Sequence, residues 1–183
     1  MEKNSIGLIE LSSIAAGMLV TDTMLKAANV ELLIHRTICS GKYLILVGGD
    51  VAAVEASVVA GRTAGHVAII DSCIIPNIDP AIFPAISGTV IMRSLAALGV
   101  IEAFSVASLI EGADAAAKAA DVQLLEIRLA MALGGKAFVK MTGDVASVEA
   151  AVEAGAACVA ARGLLVNKVV IAAPSKELLG ESV

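Results

Sequence analysis

The chain has 183 residues, of which 58% are hydrophobic, 2% aromatic and 17% charged, and its formal net charge is −5. That length predicts one ordinary domain or two small ones, and an acidic balance without any basic run excludes a nucleic-acid partner. An aliphatic, Ala-rich chain of this size carries more apolar surface than one small fold hides, which points to interfaces between subunits.

A mean hydropathy of +0.89 raises the question of a membrane. No uncharged apolar run reaches the roughly 18 residues that a spanning helix needs, because Asp50, Glu55, Asp71, Asp79 and Glu102 interrupt the greasiest stretches. The N-terminal MEKNSIGLIEL lacks the basic segment and long apolar core of a signal peptide. A cytosolic protein is the expectation. Three scattered cysteines make no disulfide framework and agree with a reducing compartment. Cys73 and Cys158 sit in apolar surroundings and are expected to be buried structural thiols.

In chain order, SIGLIEL reads as a short strand. Ile14, Met18, Thr21, Leu25 and Ala28 then recur at helical spacing, with Asp22 and Lys26 as an exposed i,i+4 pair. Two strand-like runs follow, VELLIHRTI and KYLILVG, separated by a Cys-Ser-Gly turn at Cys39, Ser40 and Gly41. Asp50 is placed to cap a second helix, VAAVEASVVAG, and VAIIDSCII closes the series as a strand. The order β-α-β-β-α-β predicts an α/β (α+β) unit of the ferredoxin-like sandwich kind, an antiparallel sheet with helices on one face.

The series then occurs again. GLIELSSIA (Gly7 to Ala15) lies over GVIEAFSVA (Gly99 to Ala107) at an offset of 92, as DTMLKAANVELL lies over DAAAKAADVQLL. After an insertion of two residues the offset is 94, and GGDVAAVEASVVAG matches TGDVASVEAAVEAG, with Asp144 as the matching cap. The chain is therefore two tandem copies of one unit of roughly 85 to 90 residues. We assign 1–80 to the first and 97–183 to the second. Residues 81–96 join them in a Pro-containing linker, because Pro76, Pro80 and Pro84 can neither donate to a ladder nor continue a helix.

The GLIEL strand, the Asp-x-x-x-Lys-Ala-Ala-Asn-Val helix, the Ser-Gly turn and the Gly-Asp-Val helix start resemble the bacterial microcompartment (BMC) shell domain, in both halves. The resemblance implies a tandem-domain shell protein in the bacterial cytoplasm, a structural protein and not an enzyme. Its homotrimer would mimic a six-fold tile and pack with other shell proteins into facets, away from any membrane. TICSGK and LGGKAF look most like the propanediol-utilisation branch of the family. There, a cysteine at the matching turn lines the central pore and holds an iron–sulfur cluster. The resemblance accordingly implies Cys39 as a metal ligand, with Ser40, Gly41, Gly134 and Gly135 lining the pore. It also implies tile-edge contacts at Lys26 and Lys118. Family members often close the last strand with Ile-Pro-Arg-Pro-His, whereas Asn77 and Ala173 stand here where the arginine would.

One thiolate cannot tether such a cluster, because several cysteines normally share the task. Around a three-fold axis, however, Cys39 would occur three times and could supply three ligands to one 4Fe–4S cluster per trimer. The expected function is electron transfer, or cluster delivery, across the shell, with an encapsulated redox enzyme as a partner. The equivalent second turn, MALGGKAF, carries Gly134 and Gly135 but no cysteine, which suits a three-ligand site. His35 and Arg36 are candidates for tuning the pore, although strand alternation can equally turn either away. Two other readings stand beside this one: the same tile with an open pore for a small polar metabolite, and a duplicated small-molecule sensor. No Ser-His-Asp set, P-loop, HExxH or dinucleotide fingerprint points to catalysis.

Overall fold

The computed structural model describes residues 4–131 and 133–179. The first repeat runs β1 (Ser5–Leu11), α1 (Ile14–Ala27), β2 (Glu31–Ile38), β3 (Lys42–Gly49), α2 (Val51–Gly65) and β4 (Ile69–Pro76). A short helix, α3 (Ile82–Ser87), precedes the second series. That series is β5 (Ala97–Ala103), α4 (Val106–Ala119), β6 (Gln123–Leu129), β7 (Ala137–Gly143), α5 (Val145–Ala160) and β8 (Leu165–Ala172). Each repeat forms one antiparallel sheet, in the orders β2-β3-β1-β4 and β6-β7-β5-β8. The expected order and fold class are both present.

Alternation along the strands explains how each sheet meets its helices. Ile9 and Leu11 of β1 share one face with Tyr43, Ile45 and Val47 of β3, and pack on Val20, Met24, Val54 and Val58. The helices begin where polar side chains satisfy their first amides. The Ala53 amide donates to Asp50 at 2.9 Å, and the Ser147 amide donates to Asp144 at 2.9 Å. Those Ser147 bonds hold the Asp144 carboxyl below its ordinary range.

Two local expectations need correction. Helix α1 buries Gly17, Val20, Thr21 and Met24, so of the spaced residues in its sequence only Thr21 faces the core. Ile14, Met18 and Leu25 are exposed, with Leu19 beside them. Gly17 explains the rotation: a Cβ there would run into the Tyr43 ring, so α1 turns its smallest residue to the sheet. The second correction concerns the linker. Pro84 lies inside α3, in its first turn, where the missing N–H would have had no intrahelical partner. Helix α3 packs on β6 and α4, and buries Ile82 and Ala85. Pro76 does sit at the end of an edge strand, where a ladder tolerates it.

The chain divides into two compact units, and the division does not follow the repeats throughout. The first comprises the chain up to Pro80 together with Ala130–Gly135, and the second comprises Ala81–Leu129 and the chain from Lys136. A piece of the second repeat is thus built into the first unit.

Two glycines are required for different reasons. A Cβ on Gly155 of α5 would lie 2.5 Å from the Gly112 carbonyl oxygen of α4, so these helices cross at backbone contact. Gly41 sits at φ +70 with nothing within 4 Å of an added Cβ. Gly155→Ala should therefore force α4 and α5 apart and cost about 1–3 kcal/mol. Gly41→Ala should cost about 1–2 kcal/mol through backbone strain alone, with the packing untouched. Urea unfolding reads both, and a Gly155→Ala protein as stable as wild type would show that the helices part freely there.

Candidate functional site

Pairing of β2 with β3 sets Ile38 opposite Lys42, which leaves Cys39, Ser40 and Gly41 to reverse the chain. A turn this tight requires left-handed backbone, and it has two successive residues there, Ser40 at φ 63 and Gly41 at φ 70. Serine accepts that conformation at a cost that glycine avoids. The turn leaves Cys39 half-buried and Ser40 exposed.

In the second repeat the last pair is Leu129 with Ala137, the counterpart of Thr37 with Tyr43, and it encloses seven residues where the first repeat encloses five, longer by the two inserted residues. Gly134 and Gly135 keep the left-handed pair of the first turn, at φ 62 and 88. The extra length folds back. The Cys39 amide donates to the Ala130 carbonyl at 3.1 Å, and the Leu133 amide donates to Cys39 Sγ at 3.4 Å. Ala130 is fully buried and left-handed itself, at φ 50, which turns its carbonyl toward the Cys39 amide. Ala132, in the same loop, lies outside the described residues.

Cys39, Ser40 and Gly41 are therefore in one cluster with the loop that carries Gly134 and Gly135. Added Cβ atoms at Gly41, Gly134 and Gly135 would meet nothing, so both loops border open space. The lysine after each loop is tied to the central strand of its own sheet: Lys42 to Glu10 and Lys136 to Glu102, each at 2.8 Å. Alternation separates His35 from Arg36. His35 Nδ1 shares a 3.2 Å hydrogen bond with the buried Tyr43 hydroxyl, on the helix-bearing face. Arg36 points to the opposite face, where burial pushes its guanidinium pKa down.

Lys26 and Lys118 lie outside this cluster, in the last turns of α1 and α4, each 2.6 Å from an aspartate one turn earlier, Asp22 or Asp114. Asn77 and Ala173 take the same left-handed turn after β4 and β8, at φ 51 and 47, so both repeats end alike without an arginine. Cys73 is buried as expected. Cys158 is not fully buried, because its place on α5 leaves it half-exposed. Desolvation and the nearby Glu111 and Asp114 carboxylates outweigh Arg162 there and push its thiol up, which keeps it protonated and unreactive. Among the described residues, no group of three or more His, Cys, Asp or Glu side chains is gathered to hold a metal within one chain.

The sequence reading missed Ala130 and Leu133. Neither has a functional side chain, since each acts through its backbone. Their one trace in the sequence is the shift of offset from 92 to 94 between the repeats.

Comparison with known proteins agrees with this architecture. The BMC domain family matches residues 5–78 and again 97–174. The chain is 41% identical over 174 residues to the bacterial microcompartment shell protein PduT of Citrobacter freundii, covering 95% of each. It is also 36% identical over 66 residues to the shell protein PduA of the same species, covering 36% of this chain and 71% of that one. The crystal structure of a microcompartment protein from Desulfitobacterium hafniense DCB superposes with a TM-score of 0.92 at 52% identity, covering 95% of this chain and 97% of that one. With two BMC domains in tandem, the chain belongs to the family of bacterial microcompartment shell proteins.

Proposed function

We propose that this shell protein forms a three-fold tile whose axis holds an iron–sulfur cluster on Cys39 of three chains, for electron transfer or cluster delivery across the shell. The observation that carries the reading is the Cys39 turn. A half-buried thiol stands on a three-residue reversal, beside open space, and accepts a backbone hydrogen bond at sulfur. This donor chemistry fits an iron–sulfur ligand, because clusters are held by thiolates and tuned by hydrogen bonds to sulfur. One chain offers one such thiol at this place, so repetition about an axis must supply the others. The cluster would supply one-electron chemistry. The chain's own contribution is to present the thiolate, to leave room beside it with Gly41, Gly134 and Gly135, and to anchor both loops through Lys42 and Lys136. Similarity to PduT supports the propanediol-utilisation branch, and other shell proteins and an encapsulated redox enzyme are the partners.

Self-assembly has its own support in a difference between the repeats. On α4, Val106 and Ile110 are buried to 1% and 0% exposure. Their counterparts on α1, Ile14 and Met18, are 39% and 61% exposed, with Leu19 at 60%. An apolar helix face used in one repeat and left bare in the other is what a head-to-tail ring requires of each chain. Lys26 and Lys118 remain at hand on the same helices for contacts between tiles.

Two measurements test the proposal. Met18→Glu should leave the circular dichroism unchanged and convert trimers to smaller species in sedimentation; trimers at wild-type strength would remove α1 from the interface. Anaerobic reconstitution with iron and sulfide should give about one cluster per three chains, seen in absorption and EPR, and Cys39→Ser should abolish it. Colourless wild-type trimers would reject the cluster in favour of a metabolite pore.

A further inference from the structure

The edge strands β2 and β6 occupy the same place in their sheets but are not covered alike. Helix α3 packs on β6 beside α4, and its Ile82 is fully buried. On the helix-bearing face of β6, Leu124 and Ile127 are 1% and 4% exposed. Their counterparts on β2 are Leu32, which is only half-buried, and His35, which is exposed. Sheet edges are commonly protected by a helix or loop laid over them. The second repeat has that cover, and the first leaves its edge open.

The repeat also shows what kind of segment fits. Strands β4 and β8 run into the same left-handed turn at Asn77 and Ala173, and the next residues, Ile78 and Pro174, are both buried. Carried on residue by residue from there, the helical turn Lys176–Leu179 lies over Pro80 to Phe83, where α3 begins, and Leu178 lies over Ile82. Ile82 is buried, whereas Leu178 is 54% exposed. Charge agrees with the match. Ala81, before α3, and Ile127, on β6, are both uncharged and apolar; their counterparts are Glu177 and His35, both exposed. His35 Nδ1 is engaged by the Tyr43 hydroxyl at 3.2 Å, which leaves Nε2 to donate to a carboxylate.

We propose that the turn Lys176–Leu179 of one chain docks on the open β2 edge of a second copy, as α3 docks on β6. Leu178 packs against Leu32, and Glu177 accepts a hydrogen bond from His35. The contact runs head to tail and recurs at each junction of a closed ring, so it rests on the three-fold assembly proposed above. It gives that assembly its fastening: the segment after the last strand of one chain completes the first sheet of its neighbour.

Cross-linking tests the contact directly. Leu178→benzoylphenylalanine places a photoreactive apolar group in the docking turn, and trimers are assembled from equal parts of heavy-isotope and ordinary chains. Illumination should join residue 178 to the peptide that carries Leu32 and His35, with mixed-isotope products among them. Products of a single isotope show docking within one chain and overturn the proposal, as do cross-links confined to other peptides.

Sedimentation gives a second arm that needs no unnatural residue. Leu178→Asp should leave the circular dichroism unchanged and raise the midpoint concentration for trimers at least about tenfold. His35→Glu should raise it about two- to fivefold, and adding Glu177→Lys should restore the wild-type midpoint. Damage to the fold at β2 would not be repaired from another chain, so rescue identifies the pair. Absence of rescue, or wild-type trimer strength in Leu178→Asp, rejects the docking. Wild-type chains that stay single reject the ring as well, whereas wild-type trimers without these effects reject the docking alone.

Discussion

The register that places Ile38 opposite Lys42 decides what happens at the end of the first sheet. With three residues to reverse the chain, two of them enter the left-handed region, and the third, Cys39, has little freedom in where its sulfur goes. The register itself is held by the flanking strands, where β1 pairs with β3 from Ser5 to Leu11 without a break. A slip of one residue would turn Tyr43, Ile45 and Val47 away from the helices and take the core with them. The position of the thiol is thus enforced by the burial of the whole sheet.

Duplication lets the two copies keep one architecture and differ in chemistry. Sheet order, the aspartate N-caps of α2 and α5 and the turns at Asn77 and Ala173 are the same in both. The divergence is concentrated in three places: the loops after β2 and β6, the outward faces of α1 and α4, and the face of each sheet turned away from its helices. On that last face the first repeat has Leu44 and Leu46 where the second has Phe138 and Lys140. Glu126 lies there between Arg128 and Lys140; desolvation raises its pKa, but those two cations outweigh it and hold the carboxyl low. Arg128 and Lys140 also approach the Phe138 ring at 5.6 and 5.3 Å. Buried leucines at these positions in one repeat, and a partly exposed lysine with its ring in the other, cannot serve the same neighbour.

Much of this was legible in the chain before any coordinates. The repeat carried the fold, because side-chain alternation, capping aspartates and the Ser-Gly turn leave marks in residue identity. Two things were hidden for physical reasons. Which stripe of α1 faces inward depends on how closely Gly17 approaches Tyr43, a steric fact that apolar spacing cannot express. The loop that backs Cys39 works through an amide and a carbonyl, which every residue but proline carries, so Ala130 and Leu133 look ordinary. The insertion was visible as a change of offset; its direction in space was not.

Consider, finally, that the thiol and its backing loop are parts of one polypeptide. Were they encoded separately, a thiol-bearing chain and a loop-bearing chain would meet only by mass action. Some Cys39 sulfurs would then go without the Leu133 amide. Covalent fusion removes that lottery, because every sulfur is synthesised together with its own donor in a ratio that no imbalance of expression can disturb. Stoichiometry here is written into the chain.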